Sequence, residues 1–267
     1  MKTVFATAIF LLSVCPAISF AQKKFAIKGQ EVSYTSADGT VLKGYVAYNA
    51  ALKGKRPAIV VIHEWWGTNA YVRRRADMLA ALGYIAIAAD MYGEGKNAAN
   101  PKEAGELAGP FYSDAVLTQS RIEAAVNKIK EYKQADTAKM ACIGYCFGGS
   151  MSLTAAKLGM DFKGVVSFHG GLAGIPAEEG KTKAQILVCH GAADKFISDD
   201  EIKQFRSNLD SANVPYRFIS YPGATHAFSN PDATKMGKEF NIPIAYNAAA
   251  DKKSWADMKV FFKKIFK

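Results

Sequence analysis

A cysteine flanked by glycines gives this chain its most specific chemical signal. Gly144-Tyr145-Cys146-Phe147-Gly148-Gly149 has the form G-x-C-x-G-G, and it joins an apolar strand-like run to a helix-like one. A nucleophile on such a strand-to-helix turn stands exposed at the tip. The glycines remove side chains that would clash around its strained backbone, and the helix N-terminus favours a thiolate and a developing oxyanion. The other reading of Cys146 is a small residue buried in a tight junction. The partners a nucleophile needs follow it in order, however: Asp194, a short turn after one apolar run, then His226 in a glycine-containing loop after the last. Cysteine, histidine and aspartate so arranged perform acyl transfer through a thioester. Esters and lactones suit it better than amides, because a thiolate leaves a tetrahedral intermediate more readily than an amine.

The rest of the pattern supplies the frame. Glu31–Ser36 and Val41–Tyr48 alternate with a two-residue period around Asp38-Gly39, which predicts an N-terminal β-hairpin. Beyond Pro57 the apolar runs are continuous: Ala58–Ile62, Tyr84–Ala89, Lys139–Gly144, Gly164–Phe168, Gln185–Cys189 and Tyr216–Tyr221. Helical periodicity separates them, at Ala70–Leu82, Ala115–Tyr132, Ser150–Lys157 and Ser198–Ala212, and again at Asn247–Ile265. Runs apolar on both faces, alternating with helices, predict an α/β fold whose mostly parallel central sheet is covered on both sides. Residues 91–114, rich in Gly, Asn, Pro and Glu, read as a loop or small cap over the site.

In such a sheet ligands bind beyond the carboxyl ends of the strands, and all four histidines, His63, His169, His190 and His226, fall there. His63 and His190 read as scaffolding, and His169 could line the site. No H-x-x-x-H or comparable ligand spacing supports a metal centre, and the reaction so read uses neither metal nor cofactor.

Length and composition agree with one large domain over 22–267: 267 residues, 49% apolar, with no linker-like stretch. Residues 1–21 read as a cleaved signal peptide. Lys2 is followed by an apolar core from Val4 to Val14 and by Ser19-Phe20-Ala21, small at the two positions a peptidase reads. The apolar run is too short for a membrane span, so the mature protein is expected to be periplasmic or secreted. Losing Lys2 takes the net charge from +10 to +9. The lysines are scattered rather than clustered beside aromatics, which argues against nucleic acid as a partner. The remaining cysteines, Cys142, Cys146 and Cys189, are odd in number and do not form a disulfide framework.

Five segments, HEWWG, ADMYG, GYCFGG, HGAAD and THAF, resemble the dienelactone hydrolase family over nearly the whole mature chain. The resemblance implies an α/β-hydrolase fold with a triad of Cys146, His226 and Asp194. It implies that Glu64 hydrogen-bonds the resting thiol as a guard, and that the backbone N–H groups of Phe147 and Trp65 form the oxyanion hole. A carboxylate beside a thiol keeps it protonated by like-charge repulsion and less easily oxidised. Where the family's namesakes place two substrate-binding arginines, this chain has Glu94 and Asn230. An acidic residue cannot clamp a carboxylate, so the expected substrate is an uncharged ester or lactone. Trp66, Tyr92 and Phe228 join Trp65 and Phe147 as candidate pocket aromatics, each of which would serve equally well in the core. Two other functions fit the same residues: a non-catalytic small-molecule-binding protein, and a thiol-based redox protein using Cys146.

Overall fold

A computed structural model describes residues 26–267. The expected leader over 1–21 and its cut after Ala21 lie outside the described residues. Eight strands form one sheet in the order β1-β2-β4-β3-β5-β6-β7-β8. They are β1 (Ile27–Thr35), β2 (Val41–Asn49), β3 (Arg56–Ile62), β4 (Ile85–Ala89), β5 (Ala135–Tyr145), β6 (Gly164–Phe168), β7 (Gln185–Gly191) and β8 (Tyr216–Tyr221). β1 pairs antiparallel with β2, and β2 antiparallel with β4, whereas every later pairing is parallel.

The continuous apolar runs are explained by what lies on each side of the sheet. Along β3, Ala58, Val60 and Ile62 point into one core while Ile59 and Val61 point into the other. β5 divides likewise, with Met140 and Cys142 on the first side and Ala141, Ile143 and Tyr145 on the second. Helices α3 (Ala115–Lys130), α4 (Phe147–Lys157) and α5 (Asp199–Ser211) close the first core through Ile122, Met151 and Phe205. Helices α1 (Ala70–Ala81) and α7 (Ala248–Ile265) close the second through Leu79, Met258 and Phe262. With both faces buried, neither set of alternating side chains can be polar.

Two helices lie outside those located in the sequence. Residues 91–114, expected as a loop or small cap, include a helix, α2 (Pro101–Ser113). Its start is written in the sequence. The Asn100 side chain accepts from the Glu103 N–H, Glu103 bonds back to the Ala99 N–H, and Pro101 stands where no N–H is needed. The preceding loop is gathered by Asp90, whose carboxylate accepts from the N–H groups of Tyr92, Gly93, Gly95 and Lys43. A further helix, α6 (Ala233–Phe240), lies where none was expected and ends at Asn241 in the left-handed conformation. No helix among the described residues is long and apolar enough to cross a membrane.

Candidate active site

The site begins where β5 turns into α4. Helix α4 starts at Phe147, three residues earlier than periodicity suggests, so Cys146 is the whole turn. It sits at φ 53° and ψ −115°, a conformation costly for a residue with a Cβ, of order 1–3 kcal/mol. Neighbouring glycines make the turn possible. A side chain on Gly144 would strike the Gly148 carbonyl, and one on Gly148 would strike the carbonyls of Ile62 and His63. The elbow is thereby pressed against the end of β3, and the Gly148 N–H donates to the His63 carbonyl at 3.0 Å. The Cys146 side chain caps nothing in α4, so its thiol stays available at the electropositive helix end.

His226 arrives from the loop after β8. Its Nε2 lies 3.1 Å from Cys146 Sγ and its Nδ1 2.8 Å from Asp194 Oδ2. Asp194 follows β7, its side chain fully buried, and its other oxygen accepts the Phe196 N–H at 2.9 Å. Burial alone would lower the His226 pKa. Negative charge on Cys146 and the hydrogen bonds to Asp194 and Cys146 overcome it and push the value up to about 10. The structure therefore brings together the three residues singled out from the sequence, in the geometry nucleophile–base–orienter chemistry requires.

Glu64 is placed in the same pocket but on another partner. Its Oε2 accepts from Asn230 Nδ2 at 2.5 Å, while the thiol is hydrogen-bonded to His226. The contact between Glu64 and the thiol expected from the resemblance is replaced here by the Asn230 contact. Burial pushes the Glu64 carboxyl up to about 7, against the lowering effects of the Asn230 hydrogen bond and the His226 and Arg75 charges. Glu94 is remote from this chemistry. It is half-exposed and pairs with Lys43 at 3.0 Å.

Backbone donors complete the floor. Among the described residues the N–H groups of Phe147 and Trp65 have no hydrogen-bond partner. The Trp65 peptide is held by Tyr92, whose hydroxyl donates to the Trp65 carbonyl at 3.0 Å. The Glu64 carbonyl lies 2.5 Å from His63 Nδ1, and the Met91 N–H donates to Nε2 of the same ring. Burial holds His63 down to about 4, so it is neutral scaffolding.

A cavity of about 260 Å³ opens above these groups. Trp65, Trp66, Tyr112, Phe196, Ile242 and Ile244 make most of its wall, with Glu64 and Glu201 the carboxylates that line it. Among the described residues no Lys or Arg lines it. Trp66 thus falls where the sequence reading put it. Tyr92 and Phe228 do not: both lie behind the wall, Tyr92 against Phe147 and Phe111, and Phe228 fully buried against His169 and Tyr221. The missed wall residues come from the elements the sequence reading did not foresee or left as loop. Tyr112 is on α2, Ile242 and Ile244 follow α6, and Phe196 lies in the turn after Asp194. Only the run Asn100-Pro101-Lys102-Glu103 carried a sequence signal for any of them.

The profile of the Dienelactone hydrolase family matches residues 42–266. The chain is 31% identical over 209 residues to a putative carboxymethylenebutenolidase of Aquifex aeolicus, covering 76% of this chain and 87% of that one. It is 29% identical over 231 residues to protein usf of Aquifex pyrophilus, covering 82% and 97%. Among solved structures, a dienelactone hydrolase-like promiscuous phosphotriesterase from metagenomic libraries superposes with a TM-score of 0.84 at 31% identity, over 91% of this chain and 100% of that one. Esterase 2 of Thermogutta terrifontis, at 18% identity and a TM-score of 0.63 over 89% and 94%, shares the fold. The chain belongs to the dienelactone hydrolase family, within the α/β-hydrolase superfamily.

Proposed function

We propose that this protein is an exported hydrolase that cleaves an uncharged ester or lactone through a thioester on Cys146. The observation that carries the reading is the continuous chain Asp194–His226–Cys146, at 2.8 and 3.1 Å, on the floor of a largely apolar pocket. In this scheme His226 takes the thiol proton and Cys146 Sγ attacks the carbonyl carbon. The oxyanion is received by the Phe147 and Trp65 N–H groups. The leaving alcohol takes the proton from His226, and His226 then draws a proton from water as it attacks the thioester, releasing the acid and the thiol. Asp194 holds the imidazole with Nδ1–H toward itself throughout.

Substrate charge follows from the wall. Glu64 and Glu201 are there, and among the described residues neither a Lys nor an Arg is, so a carboxylate on the substrate meets repulsion from that wall. Glu64 is assigned the protection of the resting thiol through its field rather than by contact, since its hydrogen bond goes to Asn230. Export rests on the leader-like residues 1–21. The redox alternative is poorly served by the other thiols. Cys142 and Cys189 are buried, and burial pushes each up to about 12.

Short activated esters test the reading. Cys146→Ala should abolish their hydrolysis, and the wild type mixed with a slow ester should gain the mass of the acyl group on the peptide containing Cys146. Undiminished turnover by Cys146→Ala would exclude the assignment.

A further inference from the structure

The proposed reaction leaves His169 unused, although among the described residues no other side chain hydrogen-bonds the nucleophile's backbone. His169 follows β6 at φ 42°, in the left-handed region, and is 1% exposed. The Cys146 N–H is shared between the Phe168 carbonyl at 2.9 Å and His169 Nδ1 at 3.1 Å. A peptide N–H only donates, so Nδ1 must be an unprotonated acceptor. A neutral ring then carries its hydrogen on Nε2, which lies 2.7 Å from Ser229 Oγ. Ser229 Oγ is in turn 2.7 Å from the Tyr71 hydroxyl, which accepts from Arg75 Nε at 3.2 Å. Arg75 is anchored by its Nη2, which donates to the Ser229 carbonyl and to Asp251, each at 2.6 Å. The His169 ring also packs against that of His226, centroid to centroid 5.5 Å and 61° between planes.

We infer that His169 is a positioning residue for the proposed reaction: as the Nε2–H tautomer it holds the Cys146 backbone and the His226 ring in attack geometry, braced against α1 through Ser229, Tyr71 and Arg75. The inference rests on the acyl-transfer reading of Cys146. Its physical basis is that Cys146 occupies a backbone conformation it would not choose, so the surroundings must hold it. The peptide that follows Cys146 carries the Phe147 N–H. A small rotation there would misplace nucleophile and oxyanion donor together, and misplacement of that kind is costly in rate. Burial, with His226 and Arg75 nearby, keeps His169 well below the ordinary histidine range. Protonation would remove the acceptor and set a second cation beside His226.

Two substitutions separate this role from simple packing. The Oδ1 of asparagine can occupy the place of Nδ1, and asparagine tolerates a positive φ; glutamine reaches instead toward the place of Nε2. His169→Gln should lower kcat about 30-fold or more with KM changed less than about twofold. His169→Asn should recover about tenfold of that loss, and the alkylation rate of Cys146 should follow the same order. Equal kcat in the two variants, or full activity in His169→Gln, would overturn the inference. The nitrogen spectrum of the unmutated protein at neutral pH decides independently if neither variant folds. Protonated Nε2 with bare Nδ1 supports the role, whereas Nδ1–H or a doubly protonated ring refutes it. A wild type inactive on every ester would sink the acyl-transfer reading instead, and that outcome is distinct from failure of the variants alone.

Discussion

Replacing Glu64 by glutamine gives a test whose size follows from the structure. The carboxyl is 2% exposed and its pKa rises from 4.5 to about 7, chiefly through burial. In the unfolded chain the group loses its proton near 4.5, and in the folded protein only near 7. Between those values folding takes up a proton, so the stability present below pH 4.5 is lost as the pH rises and the loss is complete above about 7. At about 1.4 kcal/mol per pH unit, that difference amounts to about 3 kcal/mol. Glutamine is neutral at every pH, and its carbonyl can still accept from Asn230. Glu64→Gln should therefore gain on the wild type as pH rises. Measured by thermal unfolding, the difference in Tm between the two should widen by roughly 6–12 °C between pH 4.5 and 8. Titrating groups that do not feel the Glu64 charge contribute equally to both proteins and cancel in the difference. Parallel Tm profiles would refute the reasoning, because they would mean that Glu64 ionises in the fold as it does in the open chain. The same variant reports on the thiol. Loss of the carboxylate's field should move the alkylation profile of Cys146 to lower pH, and an unmoved profile would remove Glu64 from its protective role.

Two further substitutions address the geometry of the site. Asp194→Asn keeps the shape beside His226 but removes the acceptor that fixes the Nδ1–H form, so kcat should fall by about two to four orders of magnitude. The His226 nitrogens should titrate at lower pH, since the Asp194 hydrogen bond helps to raise them; a rate within tenfold of the wild type would contradict the role. Gly148→Ala would drive a methyl group into the Ile62 and His63 carbonyls. It should destabilise the fold by about 1–3 kcal/mol in urea and reduce the fraction of Cys146 that reacts in an active-site titration.

The core strands and the helices between them, α2 and α6 excepted, were legible in the sequence because each core strand is apolar on both faces, a pattern only a doubly covered sheet requires. The elbow was legible for a similar reason. Gly144 and Gly148 are needed where backbones nearly touch, and a steric demand that severe leaves a residue-type signature. Chain order likewise pointed to Asp194 and His226, since strand ends of a parallel sheet share one edge. The pocket wall was not legible. Tyr92 and Phe228 look the same in sequence as Trp66, and whether an aromatic faces a cavity or the core depends on loop paths that no local period encodes. Tyr112, Phe196, Ile242 and Ile244 reach the site from segments far apart in the chain. Asn230 read as a lost substrate contact until the fold placed its amide on Glu64.

The sequence by itself determined the strand-to-helix turn at Cys146 and the doubly covered sheet that carries it, because those demands are local or repeat along each strand. Only the tertiary structure decided what surrounds Cys146. The Asn230–Glu64 contact spans 166 positions of chain, and the His226–Cys146 contact spans 80. Contacts of that reach are fixed by how whole layers pack.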